Sequence, residues 1–232
     1  MFLCIETATE ICSVALCNED RVISLREAQE SKSHASRLSV FISEILEENG
    51  LRPTDLTAIS VSKGPGSFTG LRIGVSTAKG LAYGANIPLI GICTLISMFY
   101  GVLPLAGKIK LPVEQAIFCP VIDAKGMEIY YSFFNFKGKL IKDITAEIID
   151  ENSFSGISND LTIIFFGPGA KKCYNTTKIT NKMLLEHYHI SASDMMAPTV
   201  KALREQKFEN IAYFEPFYLK DFIPSKPKRK MI

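Results

Sequence analysis

The run GPGSFTGLRIG, Gly64 to Gly74, restricts the fold of this chain more than any other stretch. It joins a strand-like segment, Leu56–Ser62, to a helix-like one, Gly70–Gly84, through glycines, a proline and a hydroxyl pair. Gly64, Gly66 and Gly70 permit a tight turn and a close approach of backbone to a neighbour. Ser67 or Thr69 would cap the helix, and the unpaired N–H groups at its start would suit an anion. A Walker A loop is excluded, since no Gly-Lys-Ser/Thr follows the required four-residue gap. The residues alone leave two readings open: a capped strand-to-helix turn, or a loop that binds an anion.

The rest of the chain alternates around this turn. Strand-like segments Phe2–Thr7, Ile11–Asn18 and Arg21–Ala28 come first. Leu38, Phe41, Ile42, Ile45 and Leu46 then recur at helical spacing, with Ser33 as N-cap and Gly50 as stop. The strand Ile87–Cys93 and the helix Leu95–Leu103 follow the small-residue helix. Pro104–Pro112 reads as a linker. The order then restarts with strands Gln115–Ala124, Glu128–Phe136, Leu140–Ile149 and Leu161–Gly167, followed by helices near Asn181–His189 and Ser193–Gln206. Three meandering strands and then alternating helix and strand, twice over, predict two α/β lobes with mixed sheets. The expected division is 1–104, 105–225 and a basic tail, 226–232.

Composition narrows the class. Hydrophobic residues make up 47% of the 232 and charged residues 22%, which suits a globular chain with a real core. No apolar run reaches the ~18 residues of a membrane span, and the start MFLCIETAT lacks a basic leader. The cysteines Cys4, Cys12, Cys17, Cys93, Cys119 and Cys173 sit singly, mostly in apolar runs, which favours buried thiols in a reducing compartment. The expected location is the cytoplasm. Net charge is +2, but Lys226, Lys228, Arg229 and Lys230 crowd the tail; without them 22 basic residues face 24 acidic ones. Such a body lacks the basic field of an autonomous RNA binder.

Five segments together carry a resemblance: LCIETATEICSVAL (Leu3–Leu16), SHASRL (Ser33–Leu38), GPGSFTGLRIG, PVIDAKGMEIYYSFF (Pro120–Phe134) and EPFYLKD (Glu215–Asp221). In this order they resemble the bacterial TsaB (YeaZ-like, glycoprotease-like) family of tRNA threonylcarbamoyladenosine biosynthesis proteins, in the actin-like ATPase superfamily. That resemblance implies two actin-like, ribonuclease H-like lobes. A nucleotide, where one is bound in that superfamily, lies between lobes against the first hairpin of each and a glycine-rich loop late in the second. The corresponding places here include Glu6, Thr7 and Thr9, then Asp123, then Gly167 and Gly169. The match speaks against nucleotide binding by this chain alone, since Glu6 stands where Asp is common and Ala8 and Ala124 stand where glycine would admit phosphate. For Glu6 and Asp123 the expected role is turn capping and surface solvation.

Catalytic residues are not found, and no cofactor or metal is expected. The related threonylcarbamoyl transferase carries a His-x-x-x-His metal motif after the strand matching Ile87–Cys93; Thr94 and Met98 stand there in this chain. His187 and His189 are expected as a surface pair. No Gly-x-Ser-x-Gly elbow is present, and no cysteine neighbours a histidine, so a peptidase label is rejected.

What is left is surface. On the helix from Gly70, the stripe Leu71, Val75, Ala78 and Ala82 suits packing on its own sheet. A second row, Ile73, Thr77, Gly80, Leu81 and Gly84, would let another helix approach closely. The alternative is that the Leu38–Leu46 helix covers this row by itself. The resemblance implies partner docking through His34, Arg37, Ile73, Thr77, Gly80 and Leu81, with self-association when the partner is absent. The implied partners are the transferase subunit TsaD and the P-loop ATPase subunit TsaE, with tRNA met only in the complex and no membrane. The expected function is that of a non-catalytic subunit. The alternative is an ATP-dependent small-molecule kinase or ATPase of the same fold.

Overall fold

A computed structural model describes residues 1–29, 34–108 and 113–219 of the protein. Ten strands form two five-stranded sheets. The first comprises β1 (Phe2–Glu6), β2 (Ile11–Cys17), β3 (Val22–Gln29), β4 (Ala58–Gly64) and β5 (Leu89–Cys93) in the order β3-β2-β1-β4-β5. The second comprises β6 (Ala116–Asp123), β7 (Glu128–Phe134), β8 (Leu140–Ile148), β9 (Thr162–Phe166) and β10 (Lys182–Leu185) in the order β10-β9-β6-β7-β8. In both, the first three strands pair antiparallel and the last two join the central strand in parallel. These are the two α/β lobes with mixed sheets that the sequence led one to expect.

The central strands explain themselves. FLCIE and AIFCPVI are near-continuous apolar runs, buried on both faces because helices cover both sides of each sheet. Edge strand β3 instead alternates between half-buried and exposed positions. One face of the first sheet packs against α1 (His34–Glu48) and α2 (Phe68–Ala85), through Leu38, Phe41, Ile45, Val75 and Ala78. The stripe expected to bury on α2, Leu71, Val75, Ala78 and Ala82, does so.

The other helices change partners between lobes. Helix α3 (Thr94–Val102) follows the first sheet in sequence, yet Leu95, Met98, Phe99 and Val102 pack with Phe118, Ile164 and Phe166 of the second. Helix α5 (Met196–Arg204) follows the second sheet, yet Val200 and Ala202 pack on Phe2, Cys4 and Ile90 of the first. Thr199 fixes that contact through Ser60 (Oγ–Oγ1 2.7 Å). The chain then runs back along the first lobe: Glu209 bridges to Leu89 at the edge of β5, and Phe217 N donates to Lys63 O. A cut at residue 104 therefore separates the sheets but not the helices.

One expectation needs correction. The helix expected near Asn181–His189 is strand β10, followed by a loop. Lys-Met-Leu-Leu favours helix locally, but pairing beside β9 outweighs that weak preference. Helix α4 (Ala170–Thr176), a stretch to which the sequence reading gave no element, packs on the second sheet through Ala170 and Cys173. Ser33 as N-cap, residues 109–112 of the linker and the basic tail lie outside the described residues.

Candidate functional site

Of the expected nucleotide-side residues on the β1–β2 turn, Thr7 meets the Gly64–Gly74 run, Glu6 reaches Ser62 just before it, and Thr9 contacts His34 instead. The helix start lies directly on the β1–β2 turn: Ser67 N donates to Ala8 O at 2.7 Å, and Gly70 N donates to the capping Ser67 Oγ at 3.2 Å. A Cβ on Gly66 would run into the Ala8 carbonyl, one on Gly70 into the Thr7 carbonyl, and one on Gly74 into Thr7 Oγ1. Gly64, at φ +112°, leaves the same kind of space for the Phe217 carbonyl, which a Cβ would meet at 2.6 Å. The glycines and Ser67 are thus used by the chain itself, and the N–H of Ser67 and Gly70 already have partners. Thr69 is exposed and does not cap.

Glu6 departs from the expectation of a solvated turn acid. It is fully buried; Oε1 accepts from Ala8 N (2.6 Å) and Ser62 Oγ (3.0 Å), while Oε2 has no partner. Burial pushes its carboxyl up to about 7, opposed by those hydrogen bonds and assisted by the Asp194 charge. The capping half of the expectation stands, because the turn after β1 closes on Oε1. Thr7 is also fully buried, with Oγ1 unpartnered against α2. Thr9 offers its carbonyl to His34 Nε2 at 2.9 Å.

The second turn is closed differently. Asp123 is exposed, accepts from Lys125 N (2.8 Å), and pairs with Lys172 Nζ at 2.7 Å. Gly167, at φ +97°, has the Met98 methyl where a Cβ would be, and Gly169 lies against Val121, to whose carbonyl it donates. In the turns that the resemblance would set against phosphate, Gly66, Gly70, Gly167 and Gly169 are closed by the chain's own atoms, while Gly126 is open. Beside Gly167, a cavity of about 310 Å³ is lined by Ala170, Lys171, Leu184, Leu185, Glu186 and His187. His187 and His189 are both exposed while Tyr188 and Ile190 are buried, the alternation of extended chain, and His187 alone of the pair lines the cavity.

Thr94 and Met98, which the resemblance sets against the transferase's metal motif, are fully buried in α3. Met98 packs in the second core, and Thr94 Oγ1 has no partner. Among the described residues no group of three or more His, Cys, Asp or Glu is placed to hold a metal.

Helix α2 turns its other side outward. Ile73 and Leu81 are half-buried against the first core, Thr77 is half-buried, and Gly80 and Gly84 face open space with nothing within 4 Å of a Cβ. Helix α1 therefore does not cover the glycine end of the row. Arg37 is exposed on α1, whereas His34 is buried and fastens α1 to the β1–β2 turn. Tyr83, 78% exposed between the two glycines, was missed from the sequence, as was Tyr213, 84% exposed on the returning segment. Lys79 Nζ holds that segment to α2 through the carbonyls of Ala212 (3.3 Å) and Phe214 (2.9 Å). The signal for Tyr83 was available: a large aromatic one position from Gly84, on the unburied side of an otherwise small-residue helix.

Comparison with known proteins bears on this arrangement. The family model for TsaD, tRNA N6-adenosine threonylcarbamoyltransferase, matches residues 26–223. The TsaB protein of Escherichia coli, a tRNA threonylcarbamoyladenosine biosynthesis protein, is 29% identical over 97% of this chain and 96% of its own. The TsaB of Haemophilus influenzae is 36% identical over 68% of each chain. The structure of YeaZ from Pseudomonas aeruginosa superposes with a TM-score of 0.79 at 22% identity, covering 94% of this chain and 99% of that one, a likeness of fold. The chain belongs to this glycoprotease-like family with the actin-like fold, in its TsaB (YeaZ) branch.

Proposed function

We propose that this chain is a non-catalytic subunit of the cytoplasmic machinery that places threonylcarbamoyl on adenosine 37 of tRNAs reading codons that begin with A. It would bind the transferase subunit TsaD through α1 and α2 and favour the transferase's competent conformation, which requires tighter binding to that state. The P-loop ATPase TsaE would join the pair, tRNA would be met only in the assembly, and the chain would self-associate when TsaD is absent. One observation carries this reading: α2 buries one stripe and leaves Gly80 and Gly84 uncovered beside Tyr83, on a surface helix that would ordinarily be polar there.

The filled phosphate turns support an accessory role, since Ser67 N, Gly70 and Gly167 serve the chain's own packing. Reconstitution tests it: purified transferase, ATPase and tRNA should form threonylcarbamoyladenosine only when this chain is added. Full product without it would remove the accessory role. The cavity beside Gly167 favours the kinase or ATPase alternative, because a base could enter it. Micromolar ATP affinity with magnesium-dependent hydrolysis by the isolated chain would promote that alternative.

A further inference from the structure

Three carboxyl groups gather where the chain returns from the second sheet to the first. Tyr188 OH donates to Asp194 Oδ2 at 2.7 Å and Ser191 N donates to the same oxygen at 3.1 Å. Asp194 lies against Gly101 of α3, where a Cβ would meet its Oδ2 at 2.5 Å. Two residues earlier, Ala192 N donates to Ser13 Oγ of β2 (2.9 Å), and Ser13 Oγ donates to Glu27 Oε1 of β3 (2.8 Å). Glu6 of β1 stands opposite Ser13 in the strand pairing, with its Oε2 unpartnered and the Asp194 charge acting on it. The turn carrying Asp194 thus touches α3, which belongs to the second core, and β1 and β2, which belong to the first.

The surrounding titratable groups do not neutralise these acids. Cys12 of β2 and Cys93 at the start of α3 both feel the Glu6 charge; burial pushes both thiols up, so they stay neutral. Tyr188, pushed up by burial and by Asp194, stays a phenol. Lys63 of β4 acts on Cys93 but is paired with Glu209 at 3.0 Å. Among the described residues, Glu6, Glu27 and Asp194 have no ion-pair partner.

We propose that Glu6 and Asp194 make this joint a proton-dependent latch: a proton on Glu6 keeps the Asp194 turn and α5 seated on β1 and β2, and its loss releases them. Ionised Glu6 would be a fully buried charge with one unpartnered oxygen beside the half-buried Asp194, and opening gives both carboxylates fuller access to water. Support comes from burial holding Glu6 at about 7 and Asp194 at about 6, both above their ordinary range. Both groups bind protons more tightly in the closed form, so closure is favoured at low pH and weakens as pH rises through those values. Closing the joint also seats α5 and α3 on their exchanged sheets, so its opening would loosen one lobe from the other.

Hydrogen exchange of the full chain at pH 6 and pH 8, corrected for intrinsic rates, reads the latch directly. Amides of 192–204 should lose about tenfold protection across that range, while β6 and β9 amides hold theirs. Glu6→Gln keeps the shape and the acceptor for Ala8 N; it should remove most of the pH dependence and leave α5 protected at pH 8. Asp194→Asn should reduce the dependence. Equal protection of 192–204 in wild type at both pH values overturns the proposal, as does an unchanged dependence in Glu6→Gln. If Glu6→Gln does not fold, the wild-type profile alone decides.

Discussion

At Gly70 a Cβ would lie inside contact distance of the Thr7 carbonyl oxygen, a backbone atom that cannot rotate away. Gly70→Val should push the start of α2 off the β1–β2 turn and cost about 3 kcal/mol, the upper end of overpacking. For a chain of this size the melting temperature should fall by roughly 6–12 °C. A melting curve like wild type, with partner binding lost, would instead make the loop a binding site. At this scale the sequence was informative about glycine and not about acid. The turn in GPGSFTG was legible because glycine and proline restrict the backbone locally. The burial of Glu6 was not: it depends on Ser62 and on a turn nearly 190 residues away, which no local pattern records.

Elements were legible where one face set their period. Helix α2 and the central strands follow their apolar patterns, while β10 and α4 do not. Both are short, and Lys182–Leu185 is half-buried throughout, so its pairing with β9 outweighs its local preference. The segment after α5 was equally opaque, since its order comes from long-range contacts: Glu209 to Leu89 and Lys63, Lys79 to Ala212 and Phe214. Phe214 anchors it, buried in the first core against Gly91. Phe214→Ala should then cost about 3–5 kcal/mol, as for other buried phenylalanines, read by urea unfolding of the whole chain. A loss under 1 kcal/mol would mean the segment contributes little to the first lobe.

For the whole molecule, the repeated strand order followed from two rounds of the same element pattern, and the structure has it twice. The exchange of α3 and α5 between sheets did not follow, because an amphipathic helix in sequence does not name the sheet it covers. The proposed docking face was half legible: the small residues at Gly80 and Gly84 stand out on a helical wheel, but their exposure depends on where α1 stops covering α2. That uncovered lane is the basis of the proposed function, and Gly80→Arg tests it most directly. An arginine there can stay solvated in the free chain, since nothing lies within 4 Å of its Cβ. Titration calorimetry of the chain against purified TsaD should show tight binding for wild type and at least a hundredfold weaker binding for Gly80→Arg, with both melting alike. Equal affinity of the two proteins for TsaD would contradict the account.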